Sequence, residues 1–284
     1  MNETLVTLVR VSAIVFVISS MLAMGLSLLV PQIIAPLRNV KLVVLALAVN
    51  FVAVPLVAVG INAVIDLDAD LYTGLLLVAT AAGAPFLPKL AQVAKGNIAL
   101  SVGLMVLLMV VTVVYMPLVL PLLLTDVEVN AWDIARSLIV MMLLPLGIGL
   151  FTKARWRSIA DSLQPVMSQT SSVAIVFMLV AGIVMSWSDI VDLIGTGGLL
   201  AAIIFLAASL ALGYVAGGSD AGTRSVLGLG TAQRNLSAAL VVGAQNFSGD
   251  ALVFVVVIAF VGLAILIPVA GEFGRMAGTT PDAG

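Results

Sequence analysis

Long apolar runs, cut by short polar punctuation, fill this chain from end to end. Proline, glycine and charged clusters divide it into nine segments, A to I, at about 8–30, 38–61, 71–95, 97–124, 131–153, 158–187, 189–217, 222–247 and 250–274. Each is long enough for the roughly 20 residues an α-helix needs to cross a bilayer. None shows the short alternating pattern of a transmembrane β-strand. The pattern predicts an all-α polytopic membrane protein with nine transmembrane helices.

Composition agrees. The 284 residues are 62% hydrophobic and only 9% charged, with a mean hydropathy of +1.28. Soluble domains carry about a quarter charged residues. There is no cysteine and no histidine. That excludes disulfides, thiol chemistry, imidazole catalysis and the usual Cys/His zinc sites, and no metal or cofactor is expected. The opening MNETLVTLVR lacks a basic n-region, so the first run is expected to be a retained span rather than a cleaved signal.

The loops set the orientation. Arg38 and Lys41, Lys95, the trio Lys153, Arg155 and Arg157, Arg224 and Arg275 all fall on alternate connections. The intervening loops, DLDAD (66–70), TDVEV (125–129), SD (188–189) and GD (249–250), hold no lysine or arginine. Basic loops mark the cytoplasmic side, so the N-terminus is expected outside and the C-terminus in the cytoplasm, with Arg10 the one dissenter. Asp133 and Arg136, three apart at the outer end of E, are expected to pair.

Segments C and H share an irregularity. C carries Gly83, Pro85 and Pro88 in its middle, and H carries Gly228 and Gly230 before the polar cluster GTAQRN, 230–235. C is third among A–D and H is third among F–I. This predicts two inverted four-helix repeats, 1–130 and 158–284, joined by a linking helix at 131–157. Interrupted helices at matching positions of inverted halves point to a transporter's binding site. Broken backbone is tolerated at membrane depth only against protein or a wet cavity, so the two breaks are expected to meet near the midplane.

Two cations lie at those breaks, Lys89 in C and Arg234 in H, and no aspartate or glutamate lies at comparable depth. A charge at the bilayer centre costs at least about 2.5 kcal/mol. Two readings compete. In one, Lys89 snorkels and Arg234 bonds carbonyls freed by the breaks. In the other, both receive an anionic substrate, helped by a half-helix N-terminus, with the planar fork of Arg234 suited to carboxylate. Gln233 and Asn235 flank the arginine and are candidate substrate ligands. Asn50, mid-span in B, is either a ligand or interhelical glue. Ser101, early in D, is a weak ion-ligand candidate against the ordinary fate of bonding its own helix. The patch SQTSS (168–172) in F either lines a cavity or packs.

NFVAVP (50–55), AKGNIALSV (94–102) and the glutamine-containing break followed by SAALVV (237–242) carry a resemblance. With the order and spacing of the spans, they resemble the bile acid:sodium symporter family over nearly the whole chain. The resemblance implies a core domain of B, C, D, G, H and I, a panel domain of A, E and F, two broken helices crossing in the core, and substrate in the crevice between the domains. It also implies alternating access. The family's sodium-binding amide in B falls on Asn50, its glutamine on Gln233 and its serine in D on Ser101. Its Ser-Asn pair at the first break falls on Leu87 and Pro88, and its acid at the second on Leu229, none of which offers a side-chain oxygen.

The resemblance therefore implies a secondary transporter of small organic anions in the cytoplasmic membrane. The lost ligands and gained cations lead to the expectation that Lys89 and Arg234 replace the sodium charge, giving a uniporter, an exchanger or, through a deprotonating lysine, a proton-coupled carrier. Sodium-coupled uptake of bile-acid-like or other anions is the alternative. A receptor, a structural membrane protein and a channel are rival classes. An enzyme is not expected, because no intramembrane aspartate pair or Ser-His pair exists. The partners expected are the anion and the bilayer, with no nucleic acid.

Overall fold

A computed structural model describes residues 3–124, 130–185, 195–247 and 249–279. The described residues form helices and connections with no strand. In chain order they are α1 (Glu3–Ser27), α2 (Val30–Ile34) continued by a 3-10 turn at Ala35–Arg38, α3 (Val40–Ile65), α4 (Ala69–Thr80), α5 (Leu87–Val93) and α6 (Ile98–Leu123). There follow α7 (Ala131–Arg155), α8 (Arg157–Met185), α9 (Gly198–Ala216), α10 (Ala221–Ala232), α11 (Leu236–Asn246) and α12 (Gly249–Thr279).

Among the described residues, five single helices are long and apolar enough to cross a membrane: Val40–Ile65, Ile98–Leu123, Ala131–Arg155, Gly198–Ala216 and Ala251–Ala277. The pair Val11–Ser27 and Val30–Arg38, bent by 96°, makes a sixth if counted as one span. Segments C and H appear as broken pairs, α4 with α5 and α10 with α11, and neither member of a pair is long enough alone. α8 has the length, at 29 residues, but lies outside the apolar set. The loop stretches 125–129 and 188–189 and the first residues of segment G lie outside the described residues.

Apolar side chains point outward as well as inward. Leu122 is 74% exposed, and Leu56, Val114, Leu118 and Val173 are exposed too. A surface this apolar suits lipid, not water. The interior is filled by side chains such as Leu75, Leu76, Leu87, Met105, Leu108 and Phe254, all essentially inaccessible. α1 packs on α8 and on the second half of α7; α9 packs on α10 and α3; α12 packs on α4. The α1–α7 contact is backbone-close, because a Cβ on Gly25 would lie 2.3 Å from the Leu146 carbonyl oxygen. Close approach of this kind is how helices associate in lipid. α11 touches α12, α4, α1 and α7, so it joins the two groups of helices.

Two local details follow from proline chemistry. Pro55 has no N–H, so the Phe51 carbonyl four residues earlier loses its helical partner. The chain answers with a π-turn at Val49–Ala53, and the Tyr115 hydroxyl donates to the Phe51 oxygen at 2.5 Å. A second π-turn at Ile139–Leu143 precedes Pro145 in the same way. The expected Asp133–Arg136 pair does not form. Both side chains are exposed, and the ion pairs among the described residues are Lys153–Asp161 and Arg275–Glu272. Solvated charges gain little from pairing.

Candidate functional site

The first break spans residues 81–86 and the second Gln233–Asn235. They meet. The Asn235 amide donates to the Ala81 carbonyl at 2.9 Å, and the Asn235 side chain donates to the Gly83 carbonyl at 3.1 Å while its Oδ1 accepts from the Ala238 amide as the cap of α11. One fully buried asparagine thus starts α11 and satisfies carbonyls of the opposite break. Behind the first break stands α6. Thr112 Oγ1 accepts from the Ala82 amide and donates to the Ala82 carbonyl, both at 3.0 Å. Gly83 has φ +82°, and a Cβ there would lie 2.2 Å from the Met109 nitrogen. Only glycine fits that turn.

Arg234 fills the junction. Its residue is 8% exposed. Nε donates to the Val78 carbonyl at 3.1 Å, Nη2 to the Ala79 carbonyl at 2.7 Å, and Nη1 to the Thr231 carbonyl at 3.1 Å and to Asn50 Oδ1 at 2.7 Å. Four of the five guanidinium N–H groups therefore point at oxygens of the protein. The first two acceptors are carbonyls of the last turn of α4, where Val78 also accepts from the Ala81 amide at 3.2 Å while Ala79 has no further turn to satisfy it. Asn50, 0% exposed, is held for this contact, because its Nδ2 donates to the Ala46 carbonyl and to Thr231 Oγ1. The π-turn that Pro55 enforces is what carries Asn50.

A cavity of about 640 Å³ adjoins this junction. One side is formed by the breaks and α12, the other by α1 and α8. Lys89, Gln233, Arg234 and Asn235 all line it, as do Ser168, Ser171 and Ser172 of the SQTSS patch. Lys89 is exposed and has no acidic partner among the described residues; its Nζ lies 5.6 Å from the Phe86 ring centroid. Gln233 Oε1 and Ser237 Oγ are buried without a hydrogen-bond partner. Among the described residues no acidic side chain lines the cavity. Ser101 is not brought to the cavity. It is fully buried and donates to the Ile98 carbonyl of its own helix at 2.7 Å.

The sequence model of the Sodium Bile acid symporter family matches residues 14–193. The chain belongs to that family. The matched stretch holds the first break and Asn50 and ends before Arg234. A relative, the protein named "Probable sodium/metabolite cotransporter BASS3, chloroplastic" of Arabidopsis thaliana, is 24% identical over 195 residues, which cover 68% of this chain. The chain spans 45% of that relative's length. This family member thus carries two broken helices that meet beside a cavity.

Sequence reasoning missed Thr112, Tyr115, Thr231 and Ser237. Tyr115 was findable in principle, since Pro55 orphans the Phe51 carbonyl. Thr231 sits inside GTAQRN and could have been read with it. Nothing in the sequence pairs Thr112 with residue 82.

Proposed function

We propose that this protein is a secondary transporter of small organic monoanions, working by alternating access, that uses the Arg234 guanidinium in place of a bound sodium ion. The observation that carries the reading is the set of four oxygens around the guanidinium. Carbonyls from both broken helices and a side-chain amide from α3 are the ligands a hard cation would take, and Arg234 occupies them. Leu87, at a position where the family resemblance implies an oxygen ligand, is fully buried, with Cδ2 2.8 Å from where a Cβ on Gly230 would sit. Leu229 is also fully buried and apolar. The residues present do not fit sodium at these positions.

On this reading the crossing region is built of nine spans in two inverted repeats, with 131–157 as the linking helix. The core holds the broken pairs and the panel holds α1, α7 and α8. The N-terminus is outside and the C-terminus cytoplasmic. Arg234, Asn50 and Asn235 form a fixed cationic floor, and Lys89 with Gln233 meets the substrate. The Arg234 charge lowers the potential energy of an anion in the cavity without giving up its own bonds, and Lys89 supplies the free donor. The apolar lining strengthens both interactions by excluding water.

A second reading, sodium-coupled symport, draws on one observation: Gln233 Oε1 is a buried carbonyl without a partner. The two are separated by thermal stabilisation of the purified protein in nanodiscs with a series of carboxylates, in sodium chloride and in choline chloride. Equal stabilisation in both salts, reduced at least several-fold in apparent affinity by Lys89→Gln, supports the proposal. Stabilisation confined to sodium overturns it.

A further inference from the structure

We infer that α8 supplies the specificity wall of the cavity: Gln164, Ser168 and Ser171 hydrogen-bond an uncharged hydroxyl or amide on an anion whose carboxylate faces Lys89. The inference rests on the organic-anion reading and deepens it. The three residues are spaced i, i+4, i+7, which places them on one face of a helix, and all three line the cavity.

Their hydrogen-bonding state sets them apart. Many other hydroxyls in these helices bond back to their own backbone, Ser209 and Ser237 excepted: Thr80 to the Leu76 carbonyl at 2.7 Å, Ser137 to Asp133 at 2.8 Å, and Thr170 to Val166 at 2.9 Å on α8 itself. That is the ordinary fate of a hydroxyl in an apolar helix. The side chains of Gln164, Ser168 and Ser171 make no hydrogen bond among the described residues, either within α8 or to α1, against which α8 packs. They are not the glue that joins helices in lipid. A row of unpaired polar groups at membrane depth is tolerated only where it faces water or a ligand, and here it faces the cavity.

The remaining walls fix the rest of the ligand. Lys89 belongs to α5, which packs chiefly with α6, α10 and α12, whereas α8 packs chiefly with α1 and α7, so cation and polar row approach the cavity from different helix groups. Ile258 and Leu266 of α12 make an apolar wall. Among the described residues no second free cation lines the cavity, since the fork of Arg234 is already engaged. The ligand is therefore a monoanion carrying a neutral polar group remote from its carboxylate. A dicarboxylate, lacking a cation at the α8 wall, is excluded.

The test titrates the full chain in nanodiscs with hexanoate, 6-hydroxyhexanoate and adipate. The wild type is expected to bind the hydroxy acid about five- to ten-fold more tightly than hexanoate, the worth of about one added hydrogen bond, and adipate no better than hexanoate. Gln164→Leu, Ser168→Ala and Ser171→Ala together are expected to erase the preference and leave hexanoate affinity unchanged. Thr170→Ala, whose hydroxyl bonds its own helix, is expected to keep it. If the triple variant misfolds, Ser168→Ala and Ser171→Ala singly should each reduce the ratio. A ratio near one in the wild type, or one unmoved by these variants, overturns the inference while leaving the anion reading intact, provided Lys89→Gln still weakens both acids. Failure of either acid to bind, or indifference of both to Lys89→Gln, overturns the anion reading and the wall with it.

Discussion

Replacing Arg234 by methionine removes the guanidinium and keeps most of the side-chain volume. Four oxygens then lose a donor: the carbonyls of Val78, Ala79 and Thr231, and Asn50 Oδ1. The Val78 carbonyl keeps its bond from the Ala81 amide, and each of the other three, left unpaired, costs about 1–3 kcal/mol. The cavity beside the junction lets water reach some of them, so the net loss is about 3–6 kcal/mol rather than the full sum. The apparent melting temperature should fall by roughly 10 °C or more in nanodiscs.

Arg234→Ala adds the sharper arm. It leaves room as well as oxygens, and a sodium ion entering with a dissociation constant of about 10 mM would restore about 1.4 kcal/mol at 100 mM salt. Melting of the alanine variant should therefore rise in sodium relative to choline, whereas the wild type should be indifferent. An Arg234→Met protein as stable as the wild type would refute the reasoning. So would sodium stabilisation of equal size in the wild type and Arg234→Ala.

Two further substitutions test the scaffold that holds the junction. Gly83→Ala forces a side chain into a positive-φ turn 2.2 Å from the Met109 nitrogen, and is expected to cost about 4 kcal/mol or more, read as loss of monodisperse protein on size exclusion; normal yield and melting would contradict it. Tyr115→Phe keeps the ring, whose centroid is 4.8 Å from that of Phe51, but strips the donor from the Phe51 carbonyl. A loss of about 1–2 kcal/mol is expected, measured by thermal melting.

The positions of the helices were legible because their cause is local. Hydrophobic runs and proline or glycine punctuation are written in order along the chain, and both breaks fall where Gly83, Pro85 and GTAQRN place them. The bend after Ser27 was not legible, since the run continues through it and only the structure turns it by 96°. The junction was half legible. An arginine without an acid at membrane depth announces a special environment, and the sequence left it two partners, substrate or backbone. Which one wins depends on Val78 and Ala79, about 155 residues away, and no local pattern encodes that approach. The same limit applies to Ser101 and SQTSS. A hydroxyl in an apolar helix reads alike whether it bonds its own backbone, as Ser101 does, or stands free in a cavity, as Ser168 does. Only the neighbouring helices decide.

On the proposed reading the positive charge at the crossing is covalent and not borrowed from solution. The most direct measurement is counterflow of a radiolabelled monocarboxylate, chosen as the strongest stabiliser, into proteoliposomes containing the purified protein. It is run with equal ionic strength of sodium chloride or choline chloride on both sides. Equal, saturable rates in the two salts are expected for the wild type. Rates that rise steeply with sodium and vanish in choline would contradict it, and would return Arg234 to a purely structural part.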